Sequence, residues 1–296
     1  MSEGRIVSRV ELKGISKAFP GVQALDKVDL TIMPGEVHGL IGENGAGKSV
    51  LLKILLGAYQ KDEGEIYLNG KLTDIRSTAV GRKEGLSAVW QDLMLSPSLS
   101  VAENICLGML PSTAGIVSYK EMRKKAQEIC DKYGIRLDLN ARVRDLIVAQ
   151  QQMVAIAKAL ALNCQVLVLD EPTAMLTDDE TEILFQSIRT LKATGVSIIY
   201  VSHRMEELFE ICDAATVLRD GHQVGSFRIE DITSEELIRI MSGRSIENLY
   251  GDKISEEGRI GEEVLLDVNG LSKGKIFQDI SFQVNKGEIL GFFGLV

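Results

Sequence analysis

The sequence predicts an α/β fold built on a parallel sheet, and three observations carry this prediction. First, short apolar runs at residues 37–41, 166–169 and 197–201 have the profile of buried strands. Second, the first run is followed by apolar residues at helical spacing, from Leu51 to Leu55, and Gly57 can end that helix. Third, alternating apolar residues at 10–32, broken by Gly14 and by Pro20-Gly21, indicate antiparallel strands ahead of this core.

A glycine-rich loop joins the first buried strand to its helix. It fits the triphosphate-binding pattern G-x-x-x-x-G-K-[ST] and reads Gly42, Glu43, Asn44, Gly45, Ala46, Gly47, Lys48, Ser49. Glycine allows the backbone to wrap closely around phosphates, and the start of the helix points N–H groups and a positive dipole end at them. In this pattern Lys48 reaches the β- and γ-phosphates of ATP, and the Ser49 hydroxyl holds Mg²⁺.

The chain between the core strands adds strands and then helices. Residues 64–68 and 86–90 are predicted strands, the first followed by an Asn69-Gly70 hairpin turn and the second ending at Gln91. Residues 92–162 then become helical, with a capping box from Ser100 to Glu103 and helical patterns at 119–133 and 150–162. We therefore predict a P-loop NTPase (RecA-like) core with an antiparallel β subdomain and a helical insertion subdomain.

Two adjacent carboxylates, Asp170 and Glu171, end the buried run at 166–169. Ligands bind at this end of the strands in open α/β sheets, and burying two acids without a partner is costly. A Mg²⁺ ion on Asp170 and a water on Glu171 would resolve that cost. The alternative is an acidic cap for the next helix, but Thr177 with Glu180 forms a better cap further on.

His203 follows the buried run at 197–201 on the same predicted sheet edge, which favours a role at the γ-phosphate over a structural one. His38 and His222 are interpreted as structural, and Asp220-Gly221 as a hairpin turn. From its position alone, Phe19 is interpreted as a half-buried aromatic residue in the turn between two strands.

Composition limits the class of protein. The chain has 296 residues and a net charge of −9, which argues against a nucleic-acid partner. We find no apolar run long enough to span a membrane and no apolar signal core at the N-terminus. The four cysteines lack a C-x-x-C pair, so we expect reduced, buried thiols.

The sequence contains a partial repeat. Residues 270–273 echo residues 14–17, and residues 286–294 echo residues 34–42. Between the copies, residues 247–262 have the glycine and acidic composition of a linker. We expect a first domain at 8–246, with its helical insertion at about 92–162, then this linker, then the start of a truncated second copy at 263–296.

These motifs together resemble the ATP-binding cassette (ABC) superfamily. Beside the phosphate loop, Trp90-Gln91-Asp92 resembles the Q-loop, residues 169–173 the Walker B stretch, residues 174–177 the D-loop, and Val201-Ser202-His203 the switch histidine. Residues 19–25, 42–49, 150–160 and 200–205 resemble the double-cassette ATPases of ribose-, galactose- and arabinose-type sugar importers.

The resemblance implies a role for each site residue. Phe19 would stack on adenine, Asp170 would hold Mg²⁺, and Glu171 would polarise the attacking water. Gln91 would contact Mg²⁺ or that water, and His203 would steady the γ-phosphate. The resemblance also implies partners: membrane permease subunits at the cytoplasmic side of the cell membrane, a second cassette of the same full-length chain, and indirectly a periplasmic or extracellular sugar-binding protein.

Two departures from the family pattern stand out. The signature close to L-S-G-G-Q here contains Ile147 and Ala149, which puts in doubt the composite site that this stretch forms with a second cassette. Val50 replaces the usual threonine, which removes a hydrogen bond to the nucleotide worth about 1 kcal/mol. Two alternatives stay open: a soluble double-cassette ATPase acting on ribosomes or DNA, and a nucleotide-binding regulator with weak hydrolysis.

Overall fold

The structure, a computed structural model, describes residues 7–113, 116–242, 263–274 and 276–292. Contacts between residues divide the chain into two units, residues 1–243 and residues 244–296. The predicted linker at 247–262 lies outside the described residues.

The first unit contains twelve of the described strands and all the described α-helices. Its strands are β1 (Val10–Phe19), β2 (Val22–Ile32), β3 (Val37–Ile41), β4 (Glu63–Leu68), β5 (Lys71–Leu72), β6 (Leu86–Val89), β7 (Ser112–Thr113), β8 (Ile116–Val117), β9 (Val166–Asp170), β10 (Ser197–Val201), β11 (Ala214–Arg219) and β12 (His222–Arg228). Its helices are α1 (Lys48–Leu55), α2 (Thr78–Lys83), α3 (Val101–Cys106), α4 (Tyr119–Lys132), α5 (Val148–Leu160), α6 (Asp178–Ala193), α7 (Met205–Ile211) and α8 (Ser234–Ser242).

A six-stranded sheet forms the centre of the first unit. Its strand order is β12-β11-β3-β10-β9-β6, and all neighbours are parallel except the edge pair β11–β12. Parallel strands need long crossover connections, and the helices that provide them cover both faces of the sheet. The predicted α/β fold class is therefore confirmed, and it follows from short apolar strands that alternate with helices along the chain.

Two apolar clusters lie on opposite faces of this sheet, because successive side chains of a strand point to opposite sides. In β10, Ile199 and Val201 pack in the cluster that contains α1 and the antiparallel sheet. In the same strand, Ile198 and Tyr200 pack in the cluster that contains α3 to α7. Both faces of the sheet are therefore covered by apolar side chains.

The antiparallel sheet has the order β2-β1-β4-β5. Its strands β1 and β2 precede the phosphate loop in the chain, as predicted, and β4 and β5 follow it. Its tight turn places Asn69 and Gly70 at φ 51° and 74°. Phe19 is the last residue of β1 and pairs with Val22, so it belongs to the strand rather than to the turn.

The insertion between β6 and β9 carries α3, α4 and α5. Ser100 and Glu103 form the predicted capping box at the start of α3. Helix α5 begins at Val148, two residues before the predicted start, and Ile147 caps it without a side-chain hydrogen bond. A short ladder between β7 and β8 was not predicted.

The second unit contains one described hairpin, formed by β13 (Val264–Lys273) and β14 (Phe277–Asn285). The predicted repeat reaches Gly294, which lies outside the described residues. Among the described residues of the chain, no helix has the length and apolar character needed to span a membrane.

Candidate functional site

The candidate site is a cavity of about 550 Å³ at the carboxyl ends of the central strands. The phosphate loop forms one wall, and residues that follow β6 and β9 contribute others. The sequence-predicted residues that line it are Asn44, Gly45, Ala46, Gly47, Lys48, Ser49, Val50, Gln91, Asp170 and Glu171. The parallel sheet brings these together because strands distant in sequence end at the same edge.

Two glycines of the phosphate loop have no space for a side chain. Gly42 has φ 155°, and a Cβ atom there would lie 2.3 Å from the carbonyl oxygen of Leu218. Gly47 has φ 103°, and its Cβ would lie 2.8 Å from the carbonyl oxygen of Ala24. The loop therefore holds its curled shape through close packing on neighbouring backbone, and α1 begins directly after it at Lys48.

Lys48 turns back onto this loop. Its ammonium donates hydrogen bonds to the carbonyl oxygens of Gly42 and Glu43, at 2.6 and 3.1 Å. Burial lowers the pKa of Lys48, while the charges of Asp170 and Glu171 act to raise it. The ammonium of Lys48 is thus held by the loop backbone and interacts with the charges of both carboxylates.

Asp170 is the last residue of β9, and Glu171 follows it. Burial and then the neighbouring charge of Glu171 raise the pKa of the Asp170 carboxyl above its ordinary value, while Lys48 and Lys53 partly oppose that shift. A carboxylate in these surroundings gains from a bound cation. Both side chains reach the cavity, as the sequence predicted.

Glu171 has a backbone conformation that is rare for a residue with a side chain. Its φ is 47°, in the left-handed region, which costs about 1 kcal/mol or more. The N–H group of Glu171 donates to the carbonyl oxygen of Val201 at 2.9 Å, which ties the strained residue to the end of β10. Such strain is typical of functional sites, where surrounding structure holds a side chain in position.

His203 lies beside Glu171 rather than in the cavity wall. Its Nδ1 atom is 3.4 Å from Oε1 of Glu171, and its side chain is 69% exposed. The ring therefore has access to the space in front of the carboxylate. Of the other histidines, His38 is buried between Glu36 and Thr216, at 2.6 and 2.8 Å, and His222 is exposed near Asp26.

Phe19, Gly42 and Glu43 are the remaining predicted residues that do not line the cavity. Phe19 lies half-exposed at the end of β1, with its ring edge-on to Tyr59 at 5.6 Å between centroids. The ammonium of Lys17 lies 5.5 Å from the centroid of Phe19. Gly42 and Glu43 contribute the carbonyl oxygens that hold Lys48.

Six residues of the cavity wall were not among the predicted site residues: Val22, Gln23, Ala24, Val201, Asp220 and Gly221. The turn between β11 and β12 reaches the phosphate loop, because the N–H group of Gly221 donates to the carbonyl oxygen of Ala46 at 3.3 Å. The carbonyl oxygen of Gly221 accepts a hydrogen bond from the N–H group of Asp26 at 2.8 Å. The Asp-Gly signal identified the turn, but nothing local in the sequence indicated its neighbours.

The described residues contain no cluster of three or more His, Cys, Asp or Glu side chains that could hold a metal by itself. The cavity instead offers three kinds of oxygen ligand: the hydroxyl of Ser49, the amide of Gln91 and the carboxylate of Asp170. Mg²⁺ prefers oxygen ligands and is commonly held by one or two carboxylates together with substrate phosphates. The residues present therefore fit a magnesium–nucleotide complex. The four cysteines are free and buried.

The altered stretch before α5 is partly exposed. Ile147 is 57% exposed, and Ala149 is buried in the first turn of the helix. The apolar side chain of Ile147 leaves the first N–H groups of this helix without a side-chain acceptor. The effect of this stretch on a second nucleotide site stays a prediction.

Comparisons with known proteins agree with this geometry. The sequence profile of the ABC transporter family matches residues 25–174. A ribose import ATP-binding protein of Rubrobacter xylanophilus is 50% identical over 97% of this chain and 56% of its own length. An arabinose import ATP-binding protein of Burkholderia cenocepacia is 44% identical over 96% of this chain and 55% of its own length.

Among solved structures, an ATP-binding cassette in a dimeric post-hydrolysis state with ADP and Pi is similar, with a TM-score of 0.63 and 28% identity. The likeness covers 74% of this chain and 98% of that one. The chain spans about half the length of the curated relatives it matches. The phosphate loop, the parallel sheet and these matches together show that the chain belongs to the ABC transporter family and carries that family's nucleotide-binding domain.

Proposed function

We propose that this chain binds and hydrolyses ATP to power the import of a monosaccharide through a membrane permease. The observation that carries the proposal is that Lys48, Ser49, Asp170 and Glu171 all line the same cavity. The named relatives, which import ribose or arabinose, support the substrate class. The sugar itself would be recognised by the permease and its binding protein.

The phosphate chain of ATP would lie in the cradle of residues 42–49. Lys48 would exchange its two carbonyl partners for phosphate oxygens, which compensates the lost hydrogen bonds. Phe19 would stack on adenine, because it pairs with Val22, which borders the same cavity. Val50 would offer only an apolar contact there.

Ser49, Asp170 and Gln91 would hold Mg²⁺, which supplies charge neutralisation to the phosphates. Glu171 would orient and polarise the attacking water, and His203 would steady the γ-phosphate from its place 3.4 Å from Glu171. Rate enhancement would come mainly from positioning and from charge complementarity, as in phosphoryl transfer generally.

The partners of the chain would be permease subunits at the cytoplasmic side of the cell membrane, a second cassette, and indirectly a sugar-binding protein. An apolar groove of about 410 Å³ runs between the central core and the helical insertion, beside the segment that follows Gln91. Trp90, Met94 and Leu107 line it. A permease segment in this groove would contact the residues that follow Gln91 and so sense the nucleotide.

Residues 263–296 would begin the second cassette, and residues 8–246 would form the first. The hairpin of β13 and β14 supports this domain assignment, because five of its residue pairs, from Leu266–Val284 to Lys273–Phe277, match the pairs from Val10–Ile32 to Lys17–Leu25 in the hairpin of β1 and β2. Binding of ATP between two cassettes would close them, and hydrolysis would release them.

Nucleotide binding by the chain tests the proposal directly. Lys48→Ala should lower the affinity for a fluorescent ATP analogue about tenfold or more, since a charge-assisted hydrogen bond is worth about 1.5–3 kcal/mol. Lys83→Ala removes an exposed lysine of α2 outside the cavity and serves as the matched control. Unchanged affinity in Lys48→Ala would remove the proposed cradle.

Hydrolysis needs a second comparison. We expect the 296-residue chain to turn over slowly and a double-cassette protein that contains it to turn over faster, because the second cassette completes the site. Phosphate release measured at matched concentrations of both proteins decides this point. Equal, robust rates would contradict the requirement for a second cassette.

A further inference from the structure

A buried carboxylate outside the cavity contacts the segments that follow β9 and β10. Glu207 is in the first turn of α7 and is only 5% exposed. A buried carboxylate is costly unless hydrogen bonds compensate for the lost water. Its contacts therefore indicate what it stabilises.

Three hydroxyl groups donate hydrogen bonds to Glu207. Its Oε1 atom accepts from Oγ1 of Thr173 at 2.7 Å. Its Oε2 atom accepts from the hydroxyl of Tyr200 at 2.9 Å and from Oγ of Ser202 at 2.7 Å. The guanidinium of Arg204 lies at the edge, with Nη1 3.5 Å from Oε1. One carboxylate thus connects four side chains.

These donors come from the two segments that carry the proposed catalytic groups. Thr173 follows Glu171 by two residues, and Ser202 immediately precedes His203. The hydroxyl of Ser202 also accepts from the N–H group of Arg204 at 3.0 Å, which fixes the turn around His203. The carboxylate therefore ties the ends of β9 and β10 to each other and to α7.

We propose that Glu207 is a positioning residue that sets the separation between Glu171 and His203. The 3.4 Å contact between these two side chains is made by groups on separate segments, and one of them has a strained backbone. A rigid link behind both segments keeps the contact in place. The effect on turnover rests on the proposed function, whereas the effect on geometry does not.

The charge of Glu207 matters as well as its shape. An ionised carboxylate only accepts hydrogen bonds, so all three hydroxyls can donate to it at once. Glutamine has the same shape but presents an NH₂ group on one side, so at least one hydroxyl must rotate and accept instead. Glu207→Gln should therefore keep the packing and loosen the link, while Glu207→Ala removes it.

Nuclear magnetic resonance of the histidine rings tests the geometry in the nucleotide-free chain. The sequence has only three histidines, so each ring can be assigned by substitution. We expect Glu207→Gln, and more strongly Glu207→Ala, to shift the ring resonances of His203 and to leave those of His38 and His222 in place. Glu206→Gln, an exposed neighbour in the same helix, should shift none of them.

A His203 resonance that stays in place in both Glu207 variants would overturn the proposal. A shift of all three rings in Glu207→Gln would also overturn it, since the effect would then be global rather than a loss of position. Folding of each variant is checked by the fluorescence of Trp90, the single tryptophan.

Turnover supplies the second readout, in the double-cassette protein. Misplacement of a reacting group by about 1 Å can cost about a hundredfold in rate, so we expect Glu207→Gln to lower kcat about tenfold to a hundredfold. KM for ATP should stay within about twofold, because the cradle of Lys48 is untouched. A parallel rise in KM would contradict a positioning role. An inactive parent protein would contradict the proposed function, while the histidine resonances would still decide the role of Glu207.

Discussion

The hairpin of β1 and β2 and the hairpin of β13 and β14 have the same backbone plan in different surroundings. Pairing of Val10 with Ile32 and of Leu12 with Leu30 is matched by pairing of Leu266 with Val284 and of Val268 with Phe282. Gly14 and Gly270 have φ values of 59° and 62°. The backbone plan is therefore encoded within the hairpin itself.

Side-chain hydrogen bonds repeat as well. The N–H group of Met33 donates to Glu36 and that of Asn285 donates to Glu288, both at 2.7 Å. The hydroxyls of Ser16 and Ser272 accept from the N–H groups of residues 27 and 279, at 3.0 and 2.8 Å. These short-range contacts set the bulges and the exit turn of each hairpin.

Burial distinguishes the two hairpins. Ile15 is fully buried with α1 and β4 in one apolar cluster, whereas its counterpart Leu271 is 50% exposed. Shape thus comes from local sequence, and most of the stabilisation comes from the elements that follow the hairpin in the chain. Three pairs of substitutions test whether local sequence sets the shape and the later elements supply the stability, from the largest expected effect to the smallest.

The first pair removes matching apolar side chains. Ile15→Ala should lower the free energy of unfolding of the first unit by about 2–5 kcal/mol, because it leaves a cavity in the core. Leu271→Ala should change that of the second unit by only about 0.5 kcal/mol, because half of the side chain is already in water. Urea denaturation followed by Trp90 fluorescence measures the first, and amide hydrogen exchange in β13 and β14 measures the second. Similar losses would contradict the division.

The second pair alters the exit turn. Glu36→Gln should cost about 1–3 kcal/mol, because Glu36 also contacts Nδ1 of the buried His38 at 2.6 Å. Glu288→Gln should cost about 0.5 kcal/mol, since the residue matching His38 is Leu290, which cannot hydrogen-bond to it. The same two measurements apply. Equal costs would show that the His38 contact adds nothing.

The third pair tests the shared backbone. Gly14→Ala and Gly270→Ala should each cost about 1 kcal/mol, because both residues have positive φ and neither has a close steric neighbour. Asparagine tolerates this conformation better than alanine, so Gly14→Asn and Gly270→Asn should cost less and serve as controls. A clear difference between the two glycines would show that surroundings, rather than local conformation, select glycine here.

The contrast also explains what could be predicted from the sequence. Local sequence signals predicted several elements that the structure contains. These are strands β3, β9 and β10, the turns at Asn69-Gly70 and Asp220-Gly221, and the helix caps at Ser100 and Thr177. The cavity residues on the phosphate loop and at the end of β9 also followed from motif and strand order. These features need only short-range chemistry or the general rule for parallel sheets.

Other features depend on partners distant in the chain. The contact of Gly221 with Ala46, the return of Lys48 onto Gly42, and the burial of Glu207 have no local signal. The start of α5 was misplaced because Ile147 lacks the capping side chain that marks most helix starts. Tertiary packing decides such features, so they emerge only from the folded structure.

In the proposed role of Glu171, its left-handed backbone sets activity and stability against each other. Glycine or asparagine would adopt φ 47° at lower cost and would make the folded state more durable, yet neither could polarise a water as a carboxylate does. A higher melting temperature for Glu171→Asn than for the parent would reveal this trade-off. The chain would then keep a destabilising residue at position 171, which selection for thermal stability alone would replace.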